Sequence, residues 1–413
     1  MKRKSRVSDR ALTARIVLIL IYIFFHFLLA FYIKREETFW LLGSFASLFL
    51  IYFYLVFQVN PSDKLYWFGV FLSKAIWCAA LPNLSDDYFR FIWDGTLTAN
   101  GLNPFSHTPS FYIENNIQIN GIDNMLYYQL NSPAYYTVYP PICQGIFFLS
   151  ALPEKTGSWF VNILIIRFFI ILIEGIGIFY LVKILRKLKK PSSWAFYYAL
   201  NPLVIVELTG NLHVEGIMIG FLLISFYSLL KGNYYVSAIL FSFAICIKLL
   251  PLWILPFFIK KLENRRRLRY VFLVLFFCLL LFIPFLDYET LLNLSEGLLL
   301  YVQKFEFNAS IYYVVRSVGY WIVGYNAITT IGTALLIISF LILIRLIGTS
   351  SVTTWEDVFE LSLLAWITYI LFSTTVHPWY ITPLVMFASL TGYISPLFWS
   401  FIVTWSYHAY TFN

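Results

Sequence analysis

Long apolar runs broken by short polar punctuation set the pattern of this chain. The first runs lie at about 16–33, 39–58 and 65–82, and the next at about 159–182, 193–209 and 216–230. Each is long enough, or nearly so, to cross a bilayer as a helix. Residues 234–247 and 252–259 flank Lys248-Leu249-Leu250-Pro251 and are too short for two spans and too long for one. They predict two half-helices meeting at Lys248, since backbone left open at membrane depth must be buried in protein or line a wet cavity. Further runs fall at about 270–286, 327–347, 357–375, 380–391 and 394–410. The expected fold is an all-α, polytopic membrane protein with about 11–13 membrane segments. It forms one integral membrane domain over 1–413, with no separate soluble domain.

The longest non-spanning stretch, 83–157, is polar and aromatic, and predicts one or two short interfacial helices. Its tyrosines also suit plain anchoring at the interface. Composition agrees with the pattern. The 413 residues are 60% hydrophobic and 12% charged, against about 25% charged in soluble domains. The net charge of +8 comes from short basic loops such as 183–190 and 260–267. That is the positive-inside pattern and not a nucleic-acid footprint, and it predicts a cytoplasmic N-terminus behind an uncleaved signal anchor. Cys78, Cys143, Cys246 and Cys278 show no metal spacing and read as free thiols.

Candidate chemistry gathers on one side of this topology. Residues 85–105, SDDYFRFIWDGTLTANGLNPF, hold Asp86, Asp87, Arg90 and Asp94 interleaved with Tyr88, Phe89, Phe91 and Trp93. On a helix Asp87, Arg90 and Asp94 share a face. Asp86 also suits a helix N-cap, and Asp-Gly and Asn-Pro are ordinary turn residues. Three other polar breaks face the same way: Asn211–Glu215 with His213, the Lys248 break, and His377-Pro378-Trp379-Tyr380. Such a set suits one site at the outer membrane face, where a carboxylate serves as general base and a cation neutralises a phosphate leaving group. No nucleotide-binding fingerprint is present, so an activated donor would be lipid-linked. Within the spans, Lys74 must face protein or a wet cavity, and Arg167 and Glu174, seven apart, are expected to pair.

SDDYFRFIWDG…ANGLNPF resembles the first outer loop of polytopic GT-C superfamily glycosyltransferases, in the bacterial mannosyltransferase-like group that uses polyprenyl-phosphate sugars. VYPPICQ, NPLVIVELTGNLHVEG, IKLLPLWILP, FEFNASIYYVVR and HPWY resemble later motifs of that group in the same order, over residues 85–380. Phe89 and Phe91 depart from the tyrosines commoner there. The resemblance implies an inverting hexosyl transfer, mannose first, from a polyprenyl-phosphate donor to a lipid, glycan or protein acceptor. Asp87 matches the catalytic acid, with Asp86 beside it as a substitute or a ligand for Mg or Mn. Arg90 and Lys248 match donor-phosphate positions. Asp94, His213, Glu215, His377 and Tyr380 are the remaining candidate contacts to donor or acceptor. The plasma membrane is the expected location, with the site on its outer face. Two other classes compete. A transporter or lipid flippase predicts inverted repeats, whereas the motifs here occur once each. A subunit without chemistry leaves the charged constellation unexplained.

Overall fold

A computed structural model describes residues 2–58, 64–153 and 158–412, with side chains from Leu12 to Tyr410. The basic side chains of the N-terminal segment, the turn at Asn60–Asp63 and the end of the long loop at 154–157 lie outside the described residues. Among the described residues the chain is helical, with no strand beyond an isolated bridge between Phe307 and Thr375. It is an all-α polytopic membrane protein.

Helices α1 (Lys2–Phe31), α2 (Thr38–Gln58) and α3 (Lys64–Cys78) open the chain. The long loop folds as α4 (Asp87–Ala99), α5 (Pro109–Glu114), α6 (Asn124–Tyr128) and α7 (Pro141–Ala151). After α8 (Trp159–Lys187) the chain breaks into α9 (Ala195–Ala199), α10 (Pro202–Val204) and a π-helical turn, Ile205–Gly210. Next come α11 (Glu215–Leu230), α12 (Tyr234–Ile245), α13 (Leu255–Lys261) and α14 (Asn264–Phe282). Helices α15 (Tyr288–Gln303), α16 (Ile311–Val323), α17 (Ile328–Thr349), α18 (Trp355–Phe372), α19 (Thr382–Thr391) and α20 (Ser395–Ile402) follow, and a 3-10 helix, Val403–Phe412, ends the described chain.

Among the described residues five helices are long and apolar enough to cross a membrane: Leu12–Phe31, α2, α8, Asn264–Phe285 and α17. The Pro202–Gly210 and Glu215–Leu230 pieces form a sixth candidate, bent by 112°. Other apolar runs of the sequence fold as shorter or broken helices. The break at Lys248 is present, between the end of α12 and the start of α13. Segment 287–325, between the runs at 270–286 and 327–347, forms α15 and α16. Helix α16 buries Tyr312 and exposes Val314, Val318, Trp321 and Ile322. That arrangement suits a helix lying at a membrane surface.

Small residues let α8 and α11 pack closely. A Cβ at Gly177 would sit 2.6 Å from the Gly220 Cα, and one at Gly220 would sit 2.4 Å from the Ile173 carbonyl oxygen. Backbone meets backbone there, as in other small-residue helix contacts. Gly220→Ala is therefore expected to destabilise the fold by about 1–3 kcal/mol. Gly43→Ala, where a Cβ meets nothing within 4 Å, is expected to leave stability unchanged. Thermal unfolding of both variants in detergent checks this.

The broken backbone around α9 and α10 is satisfied by side chains. Tyr22 and Tyr52 donate to the carbonyls of Leu200 and Tyr197 at 2.8 and 2.6 Å, and Asn201 caps α10. Arg167 and Glu174 do not pair. Glu174 accepts from Lys74 Nζ at 2.6 Å, while Arg167 donates to the carbonyls of Cys78, Ala80, Thr209 and Gly210. Seven residues along a helix share a face but stand about 10 Å apart, beyond ion-pair reach.

The molecule has two chemically different ends. Helices α8 and α11 run parallel, with Arg167 beside Gly210 at one end and Lys183 over Tyr227 at the other. At the latter end lysines bind loop backbone: Lys260 donates to the Ile347 and Ser350 carbonyls, and Lys261 to Thr353. Lys190 approaches Glu356 at 3.9 Å there. The start of α11 marks the opposite end, where a cavity opens.

Candidate active site

The turn before α4 is tied down from several sides. Asn83 Nδ2 donates to the Ile33 carbonyl at 2.6 Å, and the backbone N–H groups of Asn83 and Leu84 donate to Asn211 Oδ1 at 3.3 and 3.1 Å. Asp86 occupies the N-cap of α4, but its side chain makes no cap bond. It accepts instead from Arg35 Nη1 at 2.6 Å. Asp87 starts the helix, where the positive end of the dipole favours a carboxylate. Its oxygens face neutral donors, with Asn131 Nδ2 at 2.9 Å and the Tyr139 hydroxyl at 3.5 Å. Burial, and then the Asp87 charge, raise the Tyr139 hydroxyl well above its ordinary pKa, so it keeps its proton.

One turn on, Arg90 is buried. It donates to Asp94 Oδ1 at 2.8 Å and to the carbonyls of Ser132 and Tyr135 at 3.3 and 2.9 Å. Its Nη2 is buried without a protein partner. Asp94 is fully buried, and its other oxygen accepts from Thr137 and Gln144. This pair therefore staples the 132–144 loop to α4.

The π-helical turn delivers the next group. A π-turn adds a residue to the helical ring and often marks a functional site. Leu212, just beyond it, holds φ +64° while fully buried, an uncommon conformation for a side chain of its size. His213 Nε2 lies 3.1 Å from Glu207 Oε2 without hydrogen-bond alignment. Glu207 also accepts from Asn211 and Tyr407. Glu215 opens α11 and binds Lys248, whose ammonium sits 4.1 Å above the Tyr380 ring.

The HPWY stretch completes one wall. The His377 ring stacks on Trp379 at 4.4 Å and 1°, and Trp379 stacks on His213 at 3.6 Å. Phe307 covers the outer face of His377 at 5.2 Å. Burial, with His213 and Lys248 adding, pushes the His377 pKa down to about 3, so this imidazole is neutral at physiological pH.

All four polar breaks line one cavity of about 750 Å³. Asp86, Asp87, Arg90, His213, Glu215, Lys248, His377 and Tyr380 face it, whereas Asp94 lies behind it. Polar and charged groups share its lining with apolar ones, among them Leu252, Trp253, Leu298, Leu336 and Phe372. Sequence reasoning missed Arg35, Asn131, Tyr139, Glu306 and Tyr410, which also line it. Arg35 had a weak signal, a loop arginine expected on the same side as Asp86. Tyr410 had none, because it lies more than 300 residues from the turn it supports.

As footing for Mg or Mn the residues present fit poorly. Asp86 is committed to Arg35, Asp87 has no third acid beside it, and among the described residues no three His, Cys, Asp or Glu side chains gather.

No curated protein matches the chain. A family model described as "Alpha-(1->6)-mannopyranosyltransferase, N-terminal domain" matches residues 34–262, which is more than half of the chain and includes Arg35, both aspartates, His213, Glu215 and Lys248. The chain, an all-helical membrane protein with these residues around one cavity, thus belongs to the alpha-(1->6)-mannopyranosyltransferase family of glycosyltransferases.

Proposed function

We propose that this glycosyltransferase moves a hexose, mannose first, from a polyprenyl-phosphate donor to an acceptor hydroxyl with inversion, at the outer face of the plasma membrane. The observation that carries this reading is one cavity with a carboxylate, a cation and apolar side chains together. The apolar side chains suit the first prenyl units of a lipid carrier, and Lys248 suits its phosphate. Asp87 takes the proton of the acceptor hydroxyl as that oxygen attacks the anomeric carbon. The bond from the anomeric carbon to the phosphate oxygen breaks on the opposite side, and the charge grows on the departing polyprenyl phosphate. Lys248 and the unpartnered Nη2 of Arg90 meet that charge, with Glu215 holding Lys248 in place. Neutral His377 can donate or accept one hydrogen bond without adding charge. The rings of Tyr380 and Trp379 suit stacking against sugar faces.

The distribution of basic residues supports the outward orientation, because the lysine-rich end lies opposite the cavity. The buried charges that suit a transporter are engaged within the protein: Lys74 with Glu174, and Arg167 with carbonyls. A donor panel tests the proposal. Purified protein in nanodiscs is given radiolabelled polyprenyl-phosphate hexoses and a candidate glycolipid acceptor, with and without chelator. The expected result is release of polyprenyl phosphate from one donor, unchanged by chelator. Absence of both binding and turnover with every donor overturns the reading, and loss on chelation overturns catalysis by protein groups alone.

A further inference from the structure

The two adjacent aspartates are in unlike surroundings, and the difference comes from residues far away in sequence. Asp86 is held by Arg35, from the loop between α1 and α2. The guanidinium is fixed in turn. Its Nε lies 3.4 Å from Glu36, and its plane sits 5.7 Å from the Tyr410 ring centre. Tyr410 donates to the Leu84 carbonyl at 2.7 Å and stacks on Tyr407, which binds Glu207. The loop after α1, the turn before α4 and the C-terminal 3-10 helix therefore meet at Asp86. Among the described residues no ion pair reaches Asp87, which is one residue on and open to the cavity.

We infer that Arg35 is a positioning residue that neutralises Asp86 and so leaves Asp87 as the base. The inference rests on the transferase reading for its kinetic consequence, though not for the pairing. Without Arg35, the Asp86 carboxylate stands unpaired beside Asp87. A like charge next along the chain disfavours a second negative charge beside it, so losing Arg35 is expected to weaken Asp87 as the base. The tyrosines that face the pair do not offset this. Burial together with neighbouring carboxylates raises Tyr88 from α4, Tyr139 from the loop and Tyr301 across the cavity. All keep their protons near neutrality. Arg90 pairs with Asp94 and Lys248 with Glu215, so neither is paired to Asp86 or Asp87. Arg35 is the one cation paired to either aspartate among the described residues.

The test compares wild type, Arg35→Lys, Arg35→Gln and Arg35→Gln/Asp86→Asn. All are first checked for monodisperse elution, then measured for transfer across pH. Arg35→Gln is expected to lower kcat about tenfold or more with donor KM within about threefold, and to move the acidic limb of the pH–rate profile to higher pH. Removing the charge on Asp86 in the same protein is expected to return the limb to its wild-type position. Arg35→Lys is expected to keep it there. An unchanged limb in Arg35→Gln overturns the inference. So does a raised KM with kcat retained, which makes Arg35 a donor contact. A second measurement needs no turnover. Labelling with a hydrophobic carbodiimide, read by peptide mass, is expected to spare Asp86 in wild type and to modify it in Arg35→Gln. Equal modification of Asp86 in both proteins overturns the pairing. Protection of Asp86 with neither binding nor turnover of any donor overturns the transferase reading instead.

Discussion

Asp87→Asn is expected to lower transfer by about 10²–10⁴-fold, the usual worth of a general base, while the protein still folds and inserts. Asparagine has the same shape and its carbonyl still accepts from Asn131 Nδ2, now 2.9 Å from the carboxylate. What it cannot do is take a proton. The cost to the fold is small, since one carboxylate at a helix start contributes about 0.3–1 kcal/mol. The effect should appear in kcat, with donor KM little changed, because Lys248 and the apolar side chains are untouched. Asp94→Asn makes the informative contrast. Asp94 is fully buried against Arg90, Thr137 and Gln144, so its loss is expected to lower thermal stability first and activity as a consequence. Turnover and unfolding temperature measured on both variants separate the two cases. Full activity in Asp87→Asn would end the assignment of this residue as base.

The largest stability effect is expected at Lys74 and Glu174. Their pair is buried on both sides, with the Glu174 side chain 1% exposed. Removing one partner leaves an uncompensated charge in an apolar interior, which costs about 3–5 kcal/mol. Lys74→Met and Glu174→Gln are each expected to unfold well below wild type. Lys74→Met with Glu174→Leu is expected to recover most of the loss, because well-packed apolar replacements of a buried pair are often neutral. Lys74 also donates to Thr209 in the π-helical turn at 3.0 Å, so its loss should loosen the backbone that presents His213. Thermal unfolding of the two singles and the double in one detergent measures the coupling. Single variants as stable as wild type would mean that water reaches the pair.

Much of this architecture was legible in the chain itself. The apolar runs marked the helices, and the interruptions at Lys248 and His377-Pro378 marked where they break, whereas the run at 193–209, read as one span, is broken at Leu200-Asn201. The polar breaks did converge on one cavity. Other features were not legible. Arg167 and Glu174 share a helix face, and face alone does not show that the axial rise keeps them apart. Segment 287–325 carries its polar residues on amphipathic helices, where scattered charges hide the periodicity. Asp94 follows Arg90 at helical spacing, which places it on the Asp87 side without telling that Thr137 and Gln144 close over it.

The sequence by itself determined that this is a helical membrane protein and pointed to the stretches that line its cavity. Helices satisfy their backbone hydrogen bonds locally, so a run of apolar residues and its breaks suffice to place them. Only the tertiary structure decided which of two neighbouring aspartates is free. That choice depends on Arg35, 51 residues from Asp86, and on Tyr410 at the far end of the chain. Contacts at that separation leave no period or spacing in the sequence to read.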